Sequence, residues 1–585
     1  MTRQVNLTMD GHPLTVDEGT TIMAAAAKIG IHIPHLCYHP WLSTPGSCRV
    51  CVVDVKEMGH YMPSCTVQVW EGMQVQTNSP EIRQARRDIV ELLIDNHPMD
   101  CQTCERDGHC ELQNLAYSMG VRRRRFAGSR KRRPMDFRSV SVVRDPEKCV
   151  LCGRCVRVCA EVQGVYNLGQ QYRGFGTVVT PAHECGMDES VCIQCGQCVN
   201  VCPTAAFLEK SHINKVFDAL ADPTKYVICQ TAPSIRAAIG EGFGLPAGTA
   251  ATGKMISAMR LLGFQKVFDT DLGADMTIVE ESNEFIARLN GQGPLPMFTS
   301  CSPGWVNYLE KFYPALIPNM STCRSPMTMI SVLSKTYFAK LAGIDPKNIF
   351  MVAIMPCTAK KFEVARPEHV SPEGLPWTDV SLTTREAIWM IKSYGIDFTA
   401  LAEGSFDEPL GTATGAGDIF GITGGVMEAT LRTASQTLTG KAERLDFREV
   451  RAVTGLLEAS VTIDGRALNI GVANGLANAR KILDEVQAGG KQFHIIEVMA
   501  CPGGCSGGGG QPYPYTAAGT TVLDPDLLWS RGRALHQIDE SKRYRRSHEN
   551  PAVLRIYQEF LGQVGSQKAQ ELLHTHYHAR EPRGI

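Results

Sequence analysis

The sequence predicts a multidomain protein of mixed α/β and α+β class, a cysteine-rich N-terminal arm followed by a larger α/β domain. Three observations carry that prediction. At 585 residues the chain exceeds the roughly 250–300 residues at which one hydrophobic core stops growing, so several cores are needed. Cysteines crowd the chain up to residue 202 in short runs with metal-ligand spacing. From about residue 216 long apolar strands alternate with helical patterns, the texture of an α/β region.

Charge excludes little. Lys+Arg 59 against Asp+Glu 60 gives a net charge of -1, so no global field draws the chain to nucleic acid or an anionic membrane. The opening "MTRQVNLTMDGHPLTV" alternates like a strand and carries no signal-peptide or twin-arginine pattern. No apolar run approaches the roughly 18 residues of a membrane span. A cytoplasmic protein without a membrane anchor is expected. There 22 cysteines point to metal ligation rather than disulfides, because cytosolic thiols are kept reduced.

The N-terminal cysteines fall into four sets. Cys37, Cys48, Cys51 and Cys65 have a long first gap and a tight C-x2-C, closer to a plant-type two-iron ferredoxin loop than to a zinc ribbon. His97, Cys101, Cys104 and Cys110 ("HPMDCQTCERDGHC") make a set of one histidine and three cysteines, whose spacing leaves zinc and iron–sulfur both open. Cys149, Cys152, Cys155 and Cys159, then Cys192, Cys195, Cys198 and Cys202, repeat C-x2-C-x2-C-x3-C, the two-cluster ferredoxin run in which each fourth Cys serves the other cluster. Cys202 is therefore expected with the Cys149 run and Cys159 with the Cys192 run. Four clusters in series would carry single electrons inward. The basic stretch "RRRRFAGSRKRR" (122 to 133) reads as a solvated loop or as a dock for an anionic partner.

In the larger domain "LPMFTSC", "IFMVAIMPC" and "FHIIEVMAC" each end a strand at a cysteine: Cys301, Cys357 and Cys501, the last followed by Cys505. Ligands of open α/β sheets bind off the carboxyl ends of strands, so these cysteines should converge on one pocket. Free Cys is also among the most buried residue types. These dispersed residues fit neither a four-iron nor a zinc spacing, and the sequence pattern by itself gives a metallocofactor without a reaction.

Three segments resemble the signature motifs of the iron-iron hydrogenases: "TSCSPGW" (T-S-C-C-P-x-W with one departure), "MPCTAKKFE" (355 to 363) and "EVMACPGGCSGGGGQP" (497 to 512). The order and spacing of the N-terminal sets resemble the long, clostridial-type members, and the likeness covers essentially the whole chain. It implies a 2Fe-2S ferredoxin-like domain (1–80), a 4Fe-4S domain held by one histidine and three cysteines (81–140), a two-cluster 4Fe-4S domain (141–215) and an iron hydrogenase H-cluster domain (216–585). The implied reaction is 2H⁺ + 2e⁻ ⇌ H₂ at an H-cluster, a four-iron cubane joined to a two-iron site with CO, cyanide and an azadithiolate.

Carried over by position, Cys357, Cys501 and Cys505 are cubane ligands and Cys505 is the bridge. Lys360 donates to a cyanide, Ser234 belongs to the cyanide-binding loop, and Met355 and Met499 pack against the irons. Glu281, Glu284 and Arg288 fall at i, i+3 and i+7, on one face of a helix, which without the resemblance reads as a solvated charged face. With it, protons pass by Glu284, Ser321 and Glu281 to Cys301, with Arg288 near the exit. Met327 stands where relatives often have Gln. The implied partners are ferredoxin or NAD(P)H-oxidising iron-sulfur flavoprotein subunits, and hydrogenase maturation proteins.

Ser302 is the departure, because the family motif has a second cysteine there, a cubane ligand. Ser302 can bind iron as an alkoxide, Cys301 can turn to replace it, or no residue binds; backbone register favours the first. Two rival classes are weaker. An electron-transfer subunit like the cluster-bearing subunit of respiratory complex I would lack the C-terminal motifs, and a hydrogen sensor would add a PAS-like domain and lose Cys301.

Overall fold

The computed structural model describes residues 3–56, 58–126, 128–440, 455–514 and 522–581. Near the N-terminus, strands Gln4–Met9 and His12–Asp17 pair antiparallel, and Met73–Gln76 adds in parallel to the first. Val52–Val55 and Met62–Pro63 complete five strands. Alternating burial along Gln4–Met9 puts Val5, Leu7 and Met9 into the core, which also buries Cys51 and Cys65.

The two long cysteine runs fold alike. In each, a glycine with left-handed backbone, Gly153 at φ 70° and Gly196 at φ 73°, starts a short helix, Arg154–Arg157 or Gln197–Asn200. A side chain at these positions would be strained, which is why each run reads C-x2-C-Gly. Two small antiparallel pairs flank them, Val142–Arg144 with Phe207–Glu209 and Gly169–Gln171 with Val178–Thr180.

The larger domain has two four-stranded sheets. The first is parallel throughout, in the order Lys266–Asp269, Tyr226–Thr231, Ile349–Met355, Val380–Thr383. The second runs Met297–Phe298, Ile495–Met499, Arg466–Asn474, Gly455–Ile463, with only the last pair antiparallel. Parallel strands covered on both faces read as unbroken apolar runs, as "IFMVAIM" does. Helix Thr270–Leu289 enters three separate apolar clusters through Leu272, Ile278 and Phe285, and is buried along most of its length. Polar groups on it are therefore costly unless used. No helix among the described residues is long and apolar enough to cross a membrane.

Candidate active site and metal centres

The three cysteine-bearing strand ends belong to both sheets: Met297–Phe298 and Ile495–Met499 lie in one, Ile349–Met355 in the other. The cavity they share sits between the sheets. Its wall includes Cys301, Ser302, Cys357, Cys501 and Cys505 with Met327, Met355, Met499, Phe420 and Lys360. Contact with the Cys501 thiol holds the Cys357 thiol below its usual range, while burial pushes Cys505 up to about 12. Converging thiols, of which Cys501 is buried and Cys357 and Cys505 half-buried, with soft thioethers and a single ammonium suit a low-polarity metal group that carries anionic ligands.

Lys360 is held from behind. Its Nζ donates to Glu363 Oε2 (2.7 Å), Ser325 Oγ (2.9 Å) and Cys301 O (3.4 Å). Ser234 stands just outside the wall that Ala232 and Pro233 form. Gln511 Nε2 joins it to the Cys505 loop, donating to Cys505 O (3.1 Å) and Ser234 Oγ (3.4 Å).

Cys301 and Ser302 face different neighbours. Cys301 packs against the apolar cluster that includes Ala274, Phe420 and Met499, whereas Ser302 Oγ accepts the amide N–H of Ala500, the residue before Cys501, at 3.3 Å. Burial drives the Cys301 thiol far above its ordinary value, and the carboxylate of Glu281 adds to the effect.

Helix Thr270–Leu289 carries the acidic residues inward rather than into solvent. Glu281 is 1% exposed, the Ser321 hydroxyl is its hydrogen-bonding neighbour, and burial raises its carboxyl to about 8. Ser321, beside it, donates to Glu284 Oε2 at 3.1 Å. Glu284 Oε1 accepts Arg288 Nη2 at 2.5 Å, and the same guanidinium holds the carbonyls of Asn319 and Met320. From cavity to helix end the order is Cys301, Glu281, Ser321, Glu284, Arg288.

In the arm, Cys149, Cys152, Cys155 and Cys202 line one cavity of about 290 Å³. Cys159, Cys192, Cys195 and Cys198 line another of about 370 Å³. Cys37 touches Cys48 and Cys65, and Cys65 touches Cys51. Cys101 and Cys110 each lie near Cys104, and His97 and Cys104 both face Lys148. His97 Nδ1 is buried without a partner, and burial lowers the imidazole to about 4, leaving it neutral and able to ligate. Among the described residues none of these sets brings three ligand atoms within 4.8 Å of one another, the crowding a single tetrahedral zinc would impose.

The sets are joined as a fork rather than one file. Arg157 donates to Cys37 O (2.6 Å) and Cys152 O (3.3 Å). Arg106 Nη2 donates to Cys202 O (3.2 Å) and lies near Cys110. The Cys37 and His97 sets thus both abut the Cys149 set. Beyond it, Cys195 approaches Cys357 and Cys501. The backbones there almost touch: a β-carbon on Gly509 would lie 2.2 Å from Cys195 O, and one on Gly196 2.3 Å from Thr358 Oγ1.

Sequence reasoning passed over Gln511, Glu363 and Glu497, although all three stand inside the quoted motifs. Glu497 accepts the N–H groups of Gly424 and Met427 at 2.7 Å each, and burial raises its carboxyl to about 7. Thr322 carried no signal, and His574, within the closing "LLHTHY" that resembles the family, was given no role. Cys185, Cys229 and Cys323 line none of these cavities.

Residues 225–509 match the profile of the iron only hydrogenase large subunit, C-terminal domain, and 525–580 that of the iron hydrogenase small subunit. The arm matches a 2Fe-2S iron-sulfur cluster binding domain (2–80), an NADH-ubiquinone oxidoreductase-G iron-sulfur binding region (86–125) and a 4Fe-4S dicluster domain (148–206). The chain is 46% identical to the NADP-reducing hydrogenase subunit HndD of Solidesulfovibrio fructosivorans, over 99% of each. It is 41% identical to iron hydrogenase 1 of Clostridium pasteurianum, over 97% of this chain and 99% of that one. A solved [FeFe]-hydrogenase of Chlamydomonas reinhardtii superposes with a TM-score of 0.57 at 41% identity, covering 64% of this chain and 100% of that one.

Proposed function

This chain belongs to the iron-only hydrogenase family, oxidoreductases acting on hydrogen, and from that premise we propose how its own residues divide the work. The group that its cavity suits, an H-cluster, supplies the two-electron chemistry of 2H⁺ + 2e⁻ ⇌ H₂. Cys357, Cys501, Cys505 and Ser302 hold the cubane, and Lys360, Ser234, Met355 and Met499 hold the two-iron site. Lys360 answers the anionic ligands with a charge fixed in place by Glu363 and Ser325.

Protons travel along helix Thr270–Leu289. Glu284 takes a proton near the helix end, where Arg288 fixes its carboxylate. The Ser321 hydroxyl hands it to Glu281, and Glu281 to Cys301 Sγ at the cavity wall. Glu281, neutral below about pH 8, is poised near the operating pH as an acid–base relay should be.

In the arm, Cys37, Cys48, Cys51 and Cys65 would hold a two-iron cluster and the other three sets four-iron clusters, which would supply one-electron transfer. The partner that exchanges them is ferredoxin or an NAD(P)-linked iron–sulfur flavoprotein assembly, the latter favoured by the likeness to an NADP-reducing hydrogenase subunit. Maturation proteins install the two-iron site.

The observation that carries this reading is the convergence of Cys357, Cys501 and Cys505 from two sheets on a cavity with one fixed ammonium. The test is the Lys360→Met protein. It should keep the cubane EPR signal and the arm clusters while losing the infrared CO and cyanide bands, and stoichiometric zinc at the His97 set would overturn that part.

A further inference from the structure

The hairpin of Gly169–Gln171 and Val178–Thr180 stands over the Cys149 set. Its second strand contributes Val179 to the wall of that cavity, and Gln170 lies 3.8 Å from a β-carbon built on Gly153 in the same cysteine run. The tip points away from the cavity. Tyr172 is 65% exposed and Phe175 60%, with Arg173 exposed between them. Tyr172 is held at φ 62°, a backbone conformation unusual for a bulky residue, of the kind that collects at functional surfaces.

The basic stretch divides at this point. Arg124 and Arg125 are spent on Asp95, Asp88 and Glu91, while Arg122 and Arg123 before them are exposed. The other half lies against the hairpin. Lys131 Nζ donates to Thr177 O at 3.0 Å and sits 5.9 Å from the Phe175 ring centre, and Arg133 is 5.6 Å from that of Tyr172. Arg132 and Arg133 meet Glu147 and Glu184, which leaves Lys131 and Arg173 as surplus cations. Exposed aromatics with arginine and a local excess of positive charge form the composition of a protein interface, and of one that steers an acidic partner.

We propose that this hairpin tip is the docking face for an acidic iron–sulfur electron carrier, which exchanges electrons directly with the Cys149 set. The step moves one electron: the carrier's cluster is oxidised by one, the cluster at Cys149, Cys152, Cys155 and Cys202 is reduced by one, and no bond or proton changes. The strand rise of roughly 3.3 Å per residue keeps Phe175 within about 13 Å of Val179. The inference builds on the reading that the Cys149 set holds a four-iron cluster.

The test uses full-length holoenzyme carrying Arg173→Glu and Phe175→Ser, with hydrogen evolution driven either by reduced methyl viologen or by a reduced acidic ferredoxin with two four-iron clusters, across a salt series. The viologen rate should stay at the wild-type level, while kcat/KM for ferredoxin falls about tenfold or more and loses its salt dependence. Arg173→Lys should restore it. An unchanged ferredoxin rate and salt slope would overturn the proposal. If the double variant misfolds, losing viologen activity, Arg173→Glu alone gives the same comparison at an exposed side chain. Wild-type protein without a four-iron EPR signal from the Cys149 set would instead overturn the underlying cluster reading.

Discussion

Glu284 and His574 are joined through one hydroxyl. Thr322 Oγ1 lies 3.4 Å from Glu284 Oε2 and 2.7 Å from His574 Nδ1, and the Thr322 amide donates to the same carboxylate oxygen at 3.0 Å. The Thr322 hydroxyl and His574 Nδ1 share one hydrogen bond, whose donor is set by the imidazole's tautomer. His574 Nε2 lies 3.4 Å from Glu280, whose other oxygen accepts the Tyr557 hydroxyl at 2.5 Å. His574 thus helps to aim the hydroxyl beside Glu284, the carboxylate proposed as a relay.

Thr322→Val should therefore slow hydrogen turnover without altering any cluster spectrum. A hydrogen bond to a charged group contributes roughly 1.5–3 kcal/mol, so a loss of ~10–100-fold is expected where Glu284 limits the rate. His574→Phe should give a smaller loss in the same direction. Full turnover in the Thr322 variant would show that Ser321, Arg288 and the Thr322 amide suffice to hold Glu284.

The Glu281 carboxyl, raised by burial to about 8, sets a pH dependence. Its folded value lies above the unfolded one, so the native chain keeps this proton from about pH 4.5 up to about 8 and loses it above. Viologen-driven hydrogen evolution should be level with respect to this group below about pH 8 and fall above it. Glu281→Gln should lower turnover by ~10²–10⁴-fold at every pH and remove that break. Measured rates against pH for the two proteins decide the matter.

Ser302 and Cys301 give opposite expectations. Ser302 Oγ accepts the Ala500 amide beside Cys501, while Cys301 packs against the apolar cluster that includes Phe420 and Met499, and the proposed assignment puts the serine on the cubane. Ser302→Cys should raise turnover and change the cubane EPR signal. Cys301→Ala should abolish turnover and leave that signal in place. A cubane lost from the Cys301 variant would make Cys301 the ligand and leave the serine to carry protons.

Arg157 places a positive charge between the Cys37 and Cys152 carbonyls. Arg157→Gln should lower the reduction potentials of both neighbouring clusters. One unit charge at roughly 10 Å in an effective dielectric of about 20 contributes on the order of 1–2 kcal/mol, ~40–90 mV for a one-electron couple. EPR-monitored redox titration reads both, and unmoved potentials would leave the arginine a purely structural clamp.

The cysteine sets were legible in the sequence because ligand spacing is local: C-x2-C-Gly specifies both the turn and its thiols. So was the convergence of strand-end cysteines, since a strand's carboxyl end is marked by where its apolar run stops. That the strands belong to two sheets was not legible, because pairing partners such as Ile349–Met355 and Tyr226–Thr231 lie far apart in the chain. Nor was the burial of Glu281, because i, i+3 and i+7 spacing describes a face without saying what covers it. Thr322 and His574 meet across 252 residues, and no local pattern signals such a pair. The basic stretch looked uniform in sequence, yet Arg124 and Arg125 are drawn to Asp88, Glu91 and Asp95 on a neighbouring helix while Lys131 and Arg133 lie against the hairpin.

The near-contact of Gly196 and Gly509 bears on how separable the two halves of the molecule are. An interface that admits no β-carbon on either side tolerates no rotation or retreat, so the arm is fitted to the catalytic domain as a key is to a lock. A foreign relay grafted before residue 216 would need a glycine at the matching turn of its last cysteine run, or its terminal cluster would stand off from Cys501. Transplants of such arms between relatives should therefore succeed or fail on that one turn, whatever the likeness elsewhere.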